Sequence, residues 1–530
     1  MKTFQEHLNS VSSSQSGNAV ARRPVFRSSA IFPAFHNPDY TTRVTFLEYW
    51  LLKRNISQVA LLITLRDRVG HTLYWSHETL TGVSVHNVEV VELVSLAGID
   101  PDERPFEGTV EIEVYSSEDL VFTYPAFVVN YYGEDFSTAV HSATRIYNDA
   151  QDESANSGFA VPESGFDIHA DDCVSPLIML INGPVANDDL VVKYRITNHR
   201  SDELSGEFSP RQVAPYELVL LKLEEVQDLA TFLNGQPGSV SVTSSIEGVF
   251  PRWLVGNIKS EKGHLSITHS YYDSSELSGP ESYWPDVDDA YHQSAEFIPL
   301  FLKAAQYTDL VVYPIFAPSA FEVGFEIYDL GGRLLGSAPG YRSISNSSRE
   351  IVRFRMEDVV RDCGVDPDAA AGARVVTSWN DRSSVPARLK MALNVGNGDR
   401  INDLPCNICF SLIPGDPRQA EKPGTFRWAP LLNVGRSVLV LNNGSTMKSY
   451  DRGATIQLRL YRSGDTASLD REVKLDPFQQ VRLDLDEIPE WRDFLGGDTG
   501  WVTATCDNAF VKGWYFDFNE GGVVAGDHVF

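Results

Sequence analysis

The chain has 530 residues, 42% of them apolar, far more than one core requires, which points to several domains. Its 44 Lys and Arg stand against 72 Asp and Glu, a net charge of −28, which argues against nucleic acid and against an anionic membrane surface, both of which need clustered cations. The 5 cysteines are too few for a disulfide framework, and no apolar run approaches the roughly 20 residues of a membrane-spanning helix.

Residues 1–23 carry a small-polar tract, SSSQSG, and no continuous hydrophobic segment, so they read as a flexible arm and not as a cleavable secretory signal. A start of this kind suits an intracellular protein, a virion component or a protein exported by a non-classical route. Residues 24–27 that follow, Pro-Val-Phe-Arg, could lie extended along the exposed sheet edge of another subunit.

From there one pattern repeats four times. Opening strands are expected at 30–35, 174–180, 297–302 and 428–434, each followed by a hairpin. An apolar stretch with acidic punctuation comes next, at 88–99, 216–229, 351–363 and 481–488, and reads as a short helical turn. Gly108, Gly238, Gly372 and Gly500 then open runs such as GTVEIEVYSS and GSVSVTSS, whose period-two alternation is that of a strand with one buried face. An aromatic strand ending in Asn follows, and a last short strand carries His141, His269, Cys409 and His528 in register, 128, 140 and 119 residues apart.

Many short strands with turn residues between them and no long helical period describe an all-β chain of four tandem antiparallel β-sandwiches, immunoglobulin-like or jelly-roll-like, of about 110–130 residues each. The expected repeats are 24–147, 166–273, 297–412 and 425–530. Acidic or Pro-Gly-rich linkers at 148–165, 274–296 and 413–424 separate them.

The recurrent histidine is the most specific polar feature, and His141, His269 and His528 are candidate binding residues. Its bland reading is a half-buried strand residue bonded to a carbonyl. Asp286, Asp288 and Asp289 at alternate loop positions could ligate calcium, although the EF-hand pattern is absent and a solvated acidic linker is the simpler reading. Trp284, in the acidic linker, and Trp379, in the turn-like Ser-Trp-Asn-Asp, are candidates to stack a sugar or fill a pocket on a partner. Cys406 and Cys409 form a lone CxxC; on a strand two such residues face opposite sides, and no other pair completes a zinc site. No nucleotide loop, nucleophile elbow or metalloprotease motif occurs.

These features lead to an expected function without catalysis and without a cofactor: a structural or adhesive rod of four sandwiches that binds itself or another protein. The alternatives are a carbohydrate-binding or carbohydrate-active sandwich protein, and a module that takes a small ligand at the histidine-bearing strand.

Overall fold

The computed structural model describes residues 23–157, 163–209, 212–226, 228–259, 261–272, 283–285, 293–314, 320–345, 350–379, 384–386, 389–400, 404–412, 415–447 and 449–530. The fold is all-β, antiparallel throughout its sheets, as the alternating runs imply. One strand order recurs four times. In the C-terminal stretch the outer sheet runs Thr425–Leu431, Gly500–Cys506, Ala454–Arg462, Ser468–Leu475. Its inner sheet runs Gln480–Asp484, Arg436–Asn443, Val511–Phe518, Val524–His528. The same order is found in the three preceding stretches, called units here, with two variations. In the first unit the two sheets join through His36 opposite Thr41, and in the second Tyr271–Tyr272 adds a strand to the outer sheet.

Each glycine-opened run lies in an outer sheet, and each acidic stretch turns into a short helix: Val90–Leu96, Leu229–Leu233, Met356–Asp362 and Pro489–Leu495. The last of these shows why it starts and stops where it does. Pro489 occupies the first turn, where its missing N–H costs nothing, and Gly496 ends the helix at φ 61°, a left-handed conformation that glycine adopts without strain.

The two sheets of a unit bury different numbers of faces. In the outer strand Ala454–Arg462, Ile456, Leu458 and Leu460 are buried while Gln457 and Arg459 face water. In the inner strand Arg436–Asn443, Leu439 and Leu441 fill the unit's own core, whereas Val438 and Val440 pack into the core of the third unit. Val174–Ile181 divides likewise, with Ile178 and Leu180 turned inward and Leu177 and Met179 packed with residues of the first unit. Inner strands are therefore apolar on both faces. Each such side chain taken from water contributes roughly 1.5–3 kcal/mol, enough to bind the units face to face.

This packing overturns the expected rod. The final strands meet around a common centre: Ser137–Val140 touches both His264–His269 and Val524–His528, and Cys406–Leu412 touches the same two. Side chains lock the joints, with Ile267 N donating to Thr138 Oγ1 at 3.0 Å and Ser266 Oγ to the Pro405 carbonyl at 2.7 Å. The first and last units are neighbours, and the chain closes into a ring of four. A linear array would leave every inner face in water.

The expected borders shift in places. Within 148–165, Ala150–Ser157 is helical, anchored by Asp152 on Arg145 at 2.5 Å, and Glu163–Ile168 is the true first strand of the second unit. Val174–Ile181, expected to open that unit, is an inner strand. The strand before it carries little sequence signal, because Glu-Ser-Gly-Phe-Asp-Ile holds only two large apolar residues. Likewise Ser294–Pro299 begins inside the expected linker 274–296. The arm expected at 1–23 lies outside the described residues except for Arg23, and residues 24–27 are held by this chain's own backbone. They pair within the chain, Val25 O accepting from Leu120 N and Phe26 O from Ser116 N. Among the described residues no helix is long and apolar enough to cross a membrane.

Candidate functional site

The ring places the four register positions around one cavity. His141, His269, Cys409 and His528, one from each unit, line a partly open space of about 350 Å³ together with Tyr271, Glu296, Arg427, Lys512 and Trp514. The His141 ring lies 4.8 Å from that of His269 and 4.6 Å from that of His528, centroid to centroid. A period-two strand explains the convergence: every fourth strand ends at the ring axis, so the residue at its inward position reaches the same point from each unit.

Each imidazole is oriented by its Nδ1. His269 Nδ1 faces the Ser270 carbonyl at 2.9 Å, and His528 Nδ1 faces that of Val529 at 3.1 Å. His141 Nδ1 is 2.5 Å from Asp527 Oδ2. A carbonyl only accepts, and an ionised carboxylate does too, so all three rings carry a proton on Nδ1, and in the neutral form of each ring the lone pair is on Nε2. The Tyr271 hydroxyl, 3.0 Å away, donates to His269 Nε2. Among the described residues nothing hydrogen-bonds Nε2 of His141 or His528.

The electrostatics fit that arrangement. Burial, then the neighbouring His141, hold His269 well below the ordinary histidine range, and the same two causes lower His528; both stay neutral at pH 7. Burial alone would raise the Asp527 carboxyl, but His141, His528 and His269 together outweigh it and keep it ionised. Asp527 also accepts from the backbone N–H groups of His141 and His528, at 3.3 and 2.8 Å. Arg252, 1% exposed, stacks its guanidinium over Phe250 and Tyr271 behind this layer.

Two cations stand on the cavity wall. Lys512 Nζ is paired with Glu296. Arg427 donates from Nε to the Val511 carbonyl at 3.4 Å, and among the described residues no carboxylate comes within ion-pair distance of it. Burial lowers its pKa, with Glu296 only partly opposing.

No family model matches this chain, and no curated protein matches it either.

The other sequence candidates lie elsewhere. Trp379 is not in an exposed turn. It ends the strand Gly372–Trp379 opposite Phe321, half-buried against the third unit's core, because the alternation continues two residues past the point where Ser-Trp-Asn-Asp suggested a bend. The backbone of Trp284 lies in a short strand, Tyr283–Pro285, paired with Ser384–Pro386. Asp286, Asp288 and Asp289, the calcium candidates, lie outside the described residues. Cys406 packs in the core between the third and fourth units while Cys409 lines the cavity, so the CxxC thiols are separated by the strand.

A second polar cluster joins the second and third units. Asp167 accepts from Arg353 at 2.8 Å and from Asn394, and Arg400 meets Asp309 at 3.2 Å. His169 beside it is lowered to about 4 by burial, against the pull of Asp167. Only about 10 Å³ remains free there, less than a ligand needs, so the groups satisfy one another. A wider groove of about 540 Å³ between the same units is lined by Arg342, paired with Glu350, by Arg353, paired with Asp167, and by Arg355.

Sequence reasoning placed the three histidines but missed Asp527, Tyr271 and Arg427. A signal existed for the last: Thr425–Leu431 reads TFRWAPL, and a lone Arg between aromatic residues in a strand is an expensive thing to bury without purpose.

Proposed function

We propose that the ring of four sandwiches is a scaffold for one central binding site, and that the site takes a small organic anion, a carboxylate or phosphate ester. The observation that carries this reading is Arg427. Its guanidinium sits half-buried on the cavity wall with no ion pair among the described residues, in a chain with 72 acids, and Glu296, the carboxylate that acts on it, is itself paired with Lys512. A desolvated cation is costly until an anion meets it, and a ligand carboxylate would do so in bidentate fashion. The cavity of about 350 Å³ is within the range of small-molecule sites, and Trp514 and Phe410 supply apolar wall.

The rival readings have less support. Hydrolysis of a glycoside calls for two facing carboxylates, and Glu296 is the one carboxylate among the described lining residues. Assembly by strand addition calls for unblocked edges; the fourth unit's outer edge strand Ser468–Leu475, SLDREVKL, is laden with charge, while the third unit's, Leu334–Ile344, carries one.

A panel of small carboxylates, phosphates and their neutral amide or ester counterparts, screened by thermal melting, tests the proposal. At least one anion is expected to raise the melting temperature by linkage, its neutral counterpart to have no effect, and Arg427→Ala to abolish the response. Equal responses from anions and neutral counterparts, or an unchanged response in Arg427→Ala, would refute it.

A further inference from the structure

We infer that the floor of the cavity is a binding site for one divalent transition-metal ion, held by the Nε2 atoms of His141, His528 and His269. Three observations carry this, none of which involves the anion proposed above.

The first is tautomeric. A metal-ligating histidine almost always gives its other ring N–H to a carboxylate or backbone carbonyl, which fixes the ring and leaves a lone pair for the ion. All three rings here are bonded in that way, to Asp527, Val529 O and Ser270 O. Chance would distribute some of the protons to Nε2.

The second is placement. The donors come from three different units and sit at or just beyond the ends of hydrogen-bonded strands, a rigid frame in which the rings cannot swing apart. Ligand atoms of His141, Asp527 and His528 lie within 4.8 Å of one another, and the His269 ring, outside that group, stands 4.8 Å from the His141 ring, centroid to centroid. A tetrahedral zinc site with bonds of about 2.0–2.1 Å has ligand atoms roughly 3.3 Å apart, so modest ring rotations close the site.

The third is the role of Asp527. Its Oδ2 is 2.5 Å from His141 Nδ1, too close for both atoms to bind one ion. Asp527 is thus a positioning residue: it orients His141, raises the basicity of its Nε2 and supplies negative charge beside the cation. Tyr271 yields its hydrogen bond to His269 Nε2 when the ion arrives and can then face the Cys409 carbonyl, 3.4 Å away. Three neutral imidazoles suit zinc, cobalt, nickel, copper or iron and not calcium or magnesium, which prefer oxygen. The cavity in front leaves a fourth coordination position open, the arrangement of a catalytic rather than a structural zinc.

The test is performed on the full chain, stripped with a chelator and titrated with zinc chloride in the absence of any organic ligand. One zinc per chain by elemental analysis and a raised melting temperature are expected. Cobalt in its place is expected to give the visible bands of a tetrahedral nitrogen site. His141→Gln and His528→Gln, checked for native circular dichroism and size, should each lose binding at least tenfold and the double variant should lose it entirely. Asp527→Asn should keep the stoichiometry but weaken affinity by roughly 10–100-fold, as second-layer ligands do. His77→Ala, on an exposed strand, should change nothing. Zinc uptake in the absence of any organic anion separates this inference from the anion reading. A folded parent protein that takes up no zinc at micromolar concentration, or a folded double variant that still binds one ion, would overturn it.

Discussion

Where the fourth unit meets the first, rings make most of the contact, with the buried His141–Asp527 pair at its inner end. Trp501 is fully buried with its indole N–H on Thr45 Oγ1 at 2.8 Å, and Tyr49 stacks on Trp428 at 4.8 Å. Where the second meets the third, a small apolar patch around Val311 and Tyr313 is joined by buried charge, Asp167 and Asp309 sharing Arg353 at 2.8 and 3.8 Å. The two seams close the same ring but by opposite physics. The aromatic seam gains from area and tolerates small displacements, because dispersion and burial have no direction. The charged seam has one acceptable geometry, since any slip leaves an ion desolvated and unpaired. One gains from area, the other from register, and His141 is held by Asp527 at the inner end of the aromatic seam.

The largest effect expected from breaking this contrast is at Arg353. Arg353→Met leaves two buried carboxylates without their shared cation and should cost about 3–5 kcal/mol in urea unfolding, nearer the lower figure because the guanidinium is one-fifth exposed. Adding Asp167→Asn and Asp309→Asn should recover much of that. A loss below about 1 kcal/mol would mean that water already screens the seam.

Next in size is a pH effect to which the charged seam contributes through His169. His169 is lowered to about 4 in the folded chain, from 6.5 unfolded. Between those values the unfolded chain binds the extra proton, so stability falls as pH drops from about 6.5 to about 4, by up to about 3 kcal/mol for this group. His169→Gln should flatten that part of the profile, while His269 and His528, also lowered, keep the rest of the slope. An unaltered profile would show that His169 does not titrate as the seam's burial demands.

The smallest is at the aromatic seam. Trp501→Phe keeps the ring and removes one hydrogen bond, leaving the Thr45 hydroxyl buried, at a cost of about 1–3 kcal/mol. The loss should be the same at low and high salt, since no ion is involved, and Thr45→Val should restore part of it. A strong salt dependence would contradict the division drawn between the seams.

The central site was half legible. His141, His269 and His528 could be aligned because each follows the same aromatic strand and turn, a local pattern. Asp527, adjacent to His528, carried no such mark, because its importance comes from His141, 386 residues away in the chain. Continuous apolar strands such as Val-Ser-Pro-Leu-Ile-Met-Leu-Ile are legible too, and their lack of alternation is that of a strand buried on both faces, which an opening strand of a free-standing sandwich does not need.

By itself, then, the sequence determined the strands, the fourfold recurrence and the shared register of three imidazoles, because period-two alternation, glycine and proline act within a few residues. Only the tertiary structure decided that the first and fourth units touch, that Asp167 answers Arg353, and that Arg427 stands beside the three histidines. Alternation says that a face is buried and not against what. The partner of a buried face is chosen by shape and charge across hundreds of residues, and that choice turned four sandwiches into one site.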